Sequence, residues 1–98
     1  MRTDICQPAI LTASIAALRA LESVSPLSGQ LAPKAALGLS LGEYTALVAA
    51  GSLTFEDAVL LVRKRGQFME EASRRNPGTM ASVIGLSLEV ARKVCAET

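Results

Sequence analysis

The segment Gly38-Leu39-Ser40-Leu41-Gly42 constrains this chain more than any other stretch. A serine between two glycines, after a short apolar run and before an amphipathic stretch, calls for a sharp turn into a helix. Such a turn pushes the serine oxygen outward and crowds the backbone two positions away on either side. Glycine at those positions, here Gly38 and Gly42, relieves the crowding. Seven glycines and nine serines in 98 residues supply about 0.05 such matches by chance. Ser40 is therefore a candidate nucleophile. The helix starting at Leu41 turns its positive end toward it, which makes the Leu41 N–H a candidate oxyanion donor. An ordinary glycine-flanked turn without chemistry is the competing reading.

The rest of the chain alternates between helical and strand-like patterns. A helix is expected over about Gln7 to Glu22, with Pro8 in its first turn and Leu11, Ile15 and Leu18 at helical spacing. Ser23 to Pro33 reads as a loop. The apolar run Lys34 to Leu39 has the length of a buried parallel strand. A helix from Leu41 to about Ala50 follows and stops at Gly51. Thr54 with Asp57 has the capping pattern that opens a third helix, Phe55 to about Arg74. Met80 to Leu86 reads as a strand, and Ser87 caps a last helix carrying Leu88, Ala91, Val94 and Cys95 on one face. The expected class is α/β.

The third helix places one residue on an unexpected face. At about 100° per residue, Phe55, Ala58, Val59, Leu61, Val62, Phe68, Met69 and Ala72 form an apolar arc, and Arg65 falls near its middle. A guanidinium aimed at a core is costly unless an anion or acceptor meets it. A buried carboxylate pair or a cap on backbone carbonyls would satisfy it. So would a substrate carboxylate held by two parallel hydrogen bonds.

Composition excludes several classes. Ten Lys and Arg against nine Asp and Glu leave no basic field for nucleic acid or an anionic membrane surface. No apolar run reaches the ~18 residues of a membrane span, and Asp4, Gln7 and Arg19 interrupt the N-terminal stretch. Cys6 and Cys95 have no metal-like spacing and the chain has no histidine, so no metal site is expected. Free thiols fit a cytoplasmic protein.

Four stretches resemble malonyl-CoA:acyl carrier protein transacylases, in the order and spacing of that family. They are Gln7 to Ser14, Gly38 to Val48, Asp57 to Gly66 and Gly78 to Leu86. The resemblance implies that Ser40 takes malonyl from coenzyme A and passes it to the phosphopantetheine thiol of acyl carrier protein. It implies that Arg65 binds the free malonyl carboxylate, and that malonyl-CoA is a substrate with no cofactor required. It also implies that residues 1–77 are part of a large subdomain with a hydrolase-like three-layer parallel sheet, and that 78–98 begin a ferredoxin-like small subdomain.

The family's general base is a histidine downstream of the serine, and this chain has none. An upstream glutamine- and glycine-rich loop is also missing, and Leu39 stands where the family usually has histidine. The expectation is an N- and C-terminally incomplete piece of the enzyme with negligible turnover alone, because serine needs a base to become nucleophilic. Two alternatives stand beside it. A lipase or esterase fragment would have no use for Arg65, and a non-catalytic module that binds acyl carrier protein would accommodate Leu39.

Overall fold

In a computed structural model of the chain, residues 2–24 and 32–98 are described. They form four helices: α1 (Thr3–Ser23), α2 (Leu41–Ala49), α3 (Phe55–Arg75) and α4 (Leu88–Glu97). Most of the expected loop from Ser23 to Pro33 lies outside the described residues.

The seam between α1 and α3 organises the molecule. Leu11 and Ile15 of α1, Val48 of α2, and Ala58 and Val62 of α3 form the buried cluster, with Leu41, Tyr44, Leu53, Phe55 and Val59 packed at its margin. Gly66 is buried in the same seam, because α1 passes directly over it. A Cβ there would lie 2.6 Å from both the Thr3 carbonyl oxygen and Asp4 Cα. Only a residue without a side chain allows so close an approach.

The helix termini follow from local chemistry. The Thr54 hydroxyl accepts from the Asp57 N–H at 3.2 Å, and the Ser87 hydroxyl accepts from the Val90 N–H at 3.3 Å, as the capping patterns predict. Gly51, at φ 76°, supplies the left-handed residue that ends α2. The first helix starts four residues earlier than expected, so Pro8 lies inside it rather than in its first turn. Contacts outside the helix hold the extra turn. The Arg2 carbonyl accepts from the Ile5 and Cys6 N–H groups, and Glu70 of α3 accepts from the Thr3 N–H at 3.4 Å. Arg2 grips Asp4 at 2.8 Å and holds its carboxyl below the ordinary range. Because the folded value is depressed, that small contribution is present at neutral pH and is lost as acid titrates Asp4.

The expected α/β class with a three-layer sheet is not what the chain forms: among the described residues there is no strand. Lys34 to Leu39 and Met80 to Leu86 are irregular and exposed, with Leu37 at 94% and Met80 at 92% exposure. A strand exists only through hydrogen bonds to a neighbour, and no described segment pairs with either run. Their apolar character was legible, but their pairing partners are not among these residues.

The arrangement is open. The radius of gyration is 17.6 Å, against about 13 Å for a compact chain of this length. Helix α4 packs against none of the other three. Half of the apolar arc expected on α3 is uncovered, with Phe68 62% and Leu61 47% exposed. By length and composition α1 is also apolar enough to cross a membrane, contrary to the expectation that no segment is. Here its Leu11 and Ile15 are buried against neighbouring helices.

The Gly66 contact yields a test. Alanine favours a helix by about 1 kcal/mol over glycine, yet overpacking against fixed backbone costs about 1–3 kcal/mol. Gly66→Ala is expected to destabilise the chain by about 1–2 kcal/mol in urea unfolding. A stabilised variant would show that α1 and α3 are not in contact at this point.

Candidate active site

The site is built where three helices meet, and its centre is Ser40. This residue has φ 55° and ψ −113°, the single positive φ among described non-glycine residues. Such a conformation costs about 1–3 kcal/mol. Ser40 also occupies the N-cap position of α2, yet its side chain makes no capping bond. A serine cap is ordinarily worth about 0.5–2 kcal/mol. The backbone is strained and the cap is forgone, and both serve to turn the hydroxyl away from its own helix.

The two glycines of the turn have different roles. A Cβ on Gly38 would fall 1.9 Å from the Gly42 carbonyl oxygen and 2.6 Å from the Glu43 nitrogen, so only glycine fits. A Cβ on Gly42 would meet nothing within 4 Å. The expectation of equal crowding on both sides of the serine is therefore corrected: the tight approach is at Gly38 alone. The turn closes through the Gly42 N–H to Leu39 carbonyl bond at 2.9 Å and the Glu43 N–H to Ser40 carbonyl bond at 3.1 Å. The Leu41 N–H takes part in none of the described turn bonds.

Arg65 reaches this turn from α3. Its Nη2 donates to Ser40 Oγ at 2.7 Å, and its Nη1 donates to Gln7 Oε1 at 2.6 Å. The guanidinium lies over the Tyr44 ring, 5.7 Å from its centre, a favourable cation–π placement. No carboxylate is paired with Arg65 among the described residues. Neither bland account, a carboxylate pair or a backbone cap, describes what is seen. The charge is met by two neutral side-chain oxygens and an aromatic face. It remains uncompensated, in a position to attract an anion.

Glu43 is exposed and bonds to neither Ser40 nor Arg65. Leu39 is 88% exposed. An apolar groove of about 450 Å³ runs beside the turn past Ile10, Leu39, Leu41 and Thr45, but Ser40 and Arg65 do not line it.

Gln7 and Tyr44 belong to the site and were not singled out in the sequence. A signal for Gln7 was present: it shares the stripe of Leu11 and Ile15 at four-residue spacing, a polar side chain on the buried face of α1. Arg65 is the corresponding anomaly on α3. Two polar residues on two facing apolar stripes identify each other. Tyr44 lies one turn after Ser40 and gave no comparable signal.

A strained serine, the N–H that opens α2 and a guanidinium with no carboxylate partner among the described residues thus meet at one turn. Comparison with known proteins identifies the family. A family model described as acyl transferase domain matches residues 1–97, and the chain belongs to that family. It is 50% identical over 88 residues to the malonyl CoA-acyl carrier protein transacylase of Bacillus subtilis strain 168, which covers 90% of this chain and 26% of that protein. It is 46% identical over 93 residues to the protein of the same name from Staphylococcus aureus strain COL, covering 95% and 28% respectively. The chain thus spans about a quarter of the length of these curated relatives. No solved structure matches it.

The asymmetry of the turn can be measured. Gly38→Ala is expected to cost about 1–3 kcal/mol of stability through backbone overlap. Gly42→Ala, in the first turn of α2, is expected to be neutral or to gain up to about 1 kcal/mol. Equal losses in thermal unfolding followed by circular dichroism would contradict this geometry.

Proposed function

We propose that the chain carries the nucleophile and the acyl-selecting arginine of a malonyl transfer from malonyl-CoA to acyl carrier protein. The supporting observation is the 2.7 Å bond between Arg65 Nη2 and Ser40 Oγ. In a malonyl ester of Ser40 the free carboxylate lies one carbonyl and one methylene beyond the oxygen. A guanidinium already at that oxygen needs only a small turn to grip it with two hydrogen bonds. The names of the relatives support the same substrate pair.

In the reaction, Ser40 Oγ attacks the thioester carbonyl and its proton passes to a base. The carbonyl oxygen gathers charge against the Leu41 N–H. The C–S bond then breaks, and coenzyme A leaves as the thiol after taking up a proton. Attack by the phosphopantetheine thiol on the serine ester reverses these roles and regenerates Ser40. Arg65 selects the acyl group, since a neutral acetyl group offers it nothing. These 98 residues contain no histidine to act as the base. Arg65 also donates to the serine oxygen, which withdraws electron density from it. Both features slow acylation.

The expected outcome with malonyl-CoA is slow formation of a single malonyl adduct, seen by intact mass, that is absent in Ser40→Ala. Sustained transfer to acyl carrier protein is expected to be negligible. Arg65→Ala should lower malonylation about 10- to 100-fold relative to acetylation by acetyl-CoA, the value of a charge-assisted bond. Equal labelling of the native chain by both thioesters would refute the assignment of Arg65.

Leu39 supports a second reading, a non-catalytic module that binds acyl carrier protein. Its apolar side chain is exposed in place of the family's usual histidine. Carrier-protein binding by a native chain that is never acylated would favour that reading over the first.

A further inference from the structure

Gln7 is the one buried polar residue among the described residues, with 6% exposure. An amide in an apolar seam costs free energy unless both of its ends are bonded, and here both are. Oε1 accepts from Arg65 Nη1 at 2.6 Å, while Nε2 donates to Met69 Sδ at 3.2 Å. The chemistry of the partners permits one orientation only. A guanidinium can donate but not accept, and a thioether can accept but not donate. Flipping the amide would therefore break both bonds. Arg65 and Met69 are one turn apart on α3, so the amide bridges them and fixes its own plane.

We propose that Gln7 is a positioning residue: it holds the Arg65 guanidinium turned toward Ser40 while leaving its charge free for the acyl carboxylate. This rests on the reading of Arg65 given above. Neutrality is the essential property. A carboxylate at this position would form an ion pair with Arg65, compete with the substrate carboxylate and set an acceptor against the Met69 sulfur. An apolar residue would leave Nη1 without its acceptor and the fork free to rotate. With Gln7 on one side and the Tyr44 ring under its plane, the fork is ordered before substrate arrives. Less conformational freedom is then lost on binding.

Two variants of similar length separate these effects: Gln7→Met exchanges the amide oxygen for a far weaker thioether acceptor, and Gln7→Glu supplies a charge. Binding of malonyl-CoA and of acetyl-CoA to the 98-residue chain is measured by titration calorimetry, and the ratio of the two affinities is the readout. The native chain is expected to prefer malonyl-CoA. Gln7→Met should reduce that preference about tenfold, and Gln7→Glu should abolish it, with acetyl-CoA binding unchanged in both. A purely structural role for Gln7 would weaken both thioesters alike. Variants that keep the native preference overturn the positioning role and leave the Arg65 assignment standing. A native chain that binds both thioesters equally overturns the Arg65 assignment and this inference with it. If circular dichroism shows that the variants do not fold, the native chain decides. Distinct, slowly exchanging side-chain N–H signals for Arg65 in NMR spectra support the inference, and signals averaged like those of free arginine overturn it.

Discussion

One guanidinium joins the three packed helices: Arg65 extends from α3 to an amide buried in α1 and to the serine that opens α2. Its partners are neutral, so the arrangement is not an ion pair and does not neutralise the charge it holds. A half-buried cation of this kind is an unfavourable choice for stability alone. An apolar side chain at position 65 would extend the seam of Ala58 and Val62 and bury more carbon. The sequence instead maintains a charge there and surrounds it with acceptors that cannot cancel it. That choice fits the role proposed for Arg65 as receptor of an acyl carboxylate.

The turn around Ser40 shows the same preference for readiness over stability. A left-handed φ on a side-chain-bearing residue, a serine that does not cap its helix and a glycine pressed against the facing backbone all fall within five residues. Each departs from the local rule that would stabilise the chain, and such departures gather where chemistry is done. Arg65 offsets part of the cost by donating a hydrogen bond to the hydroxyl oxygen. The bond that steadies the turn also restrains its oxygen, and a substrate carboxylate that draws Arg65 away would release it.

The capping signals in the sequence held, and the strand expectations did not. Thr54 and Ser87 cap where their spacing predicts, because a cap involves residues three apart. Ser40 and Arg65 were visible as exceptions, one through its flanking glycines and the other through its place on an apolar arc. Their approach to 2.7 Å could not be derived from spacing, since it depends on how α2 and α3 cross. The two expected strands failed for a related reason: a β-strand is a property of at least two segments, and an apolar run specifies only one of them. Pro8 misled differently. Its missing N–H suggested a helix start, whereas Arg2 and Glu70 support another turn ahead of it.

The crossing of α1 and α3 ties these features together at one residue that carries no chemistry. Gly66 follows Arg65 directly, and the α1 backbone at Thr3 and Asp4 rests on it. Gln7 is one helical turn beyond that contact, so the distance between the two helices there sets the Gln7 to Arg65 bond. A side chain at position 66 would push α1 outward, and a bond of 2.6 Å lengthened by even an ångström is no longer a hydrogen bond. The guanidinium would then lose its inner anchor while Ser40 kept its strain. A glycine that looks like a weakness in a long helix is, on this argument, what brings the Arg65 guanidinium and the Ser40 hydroxyl into register.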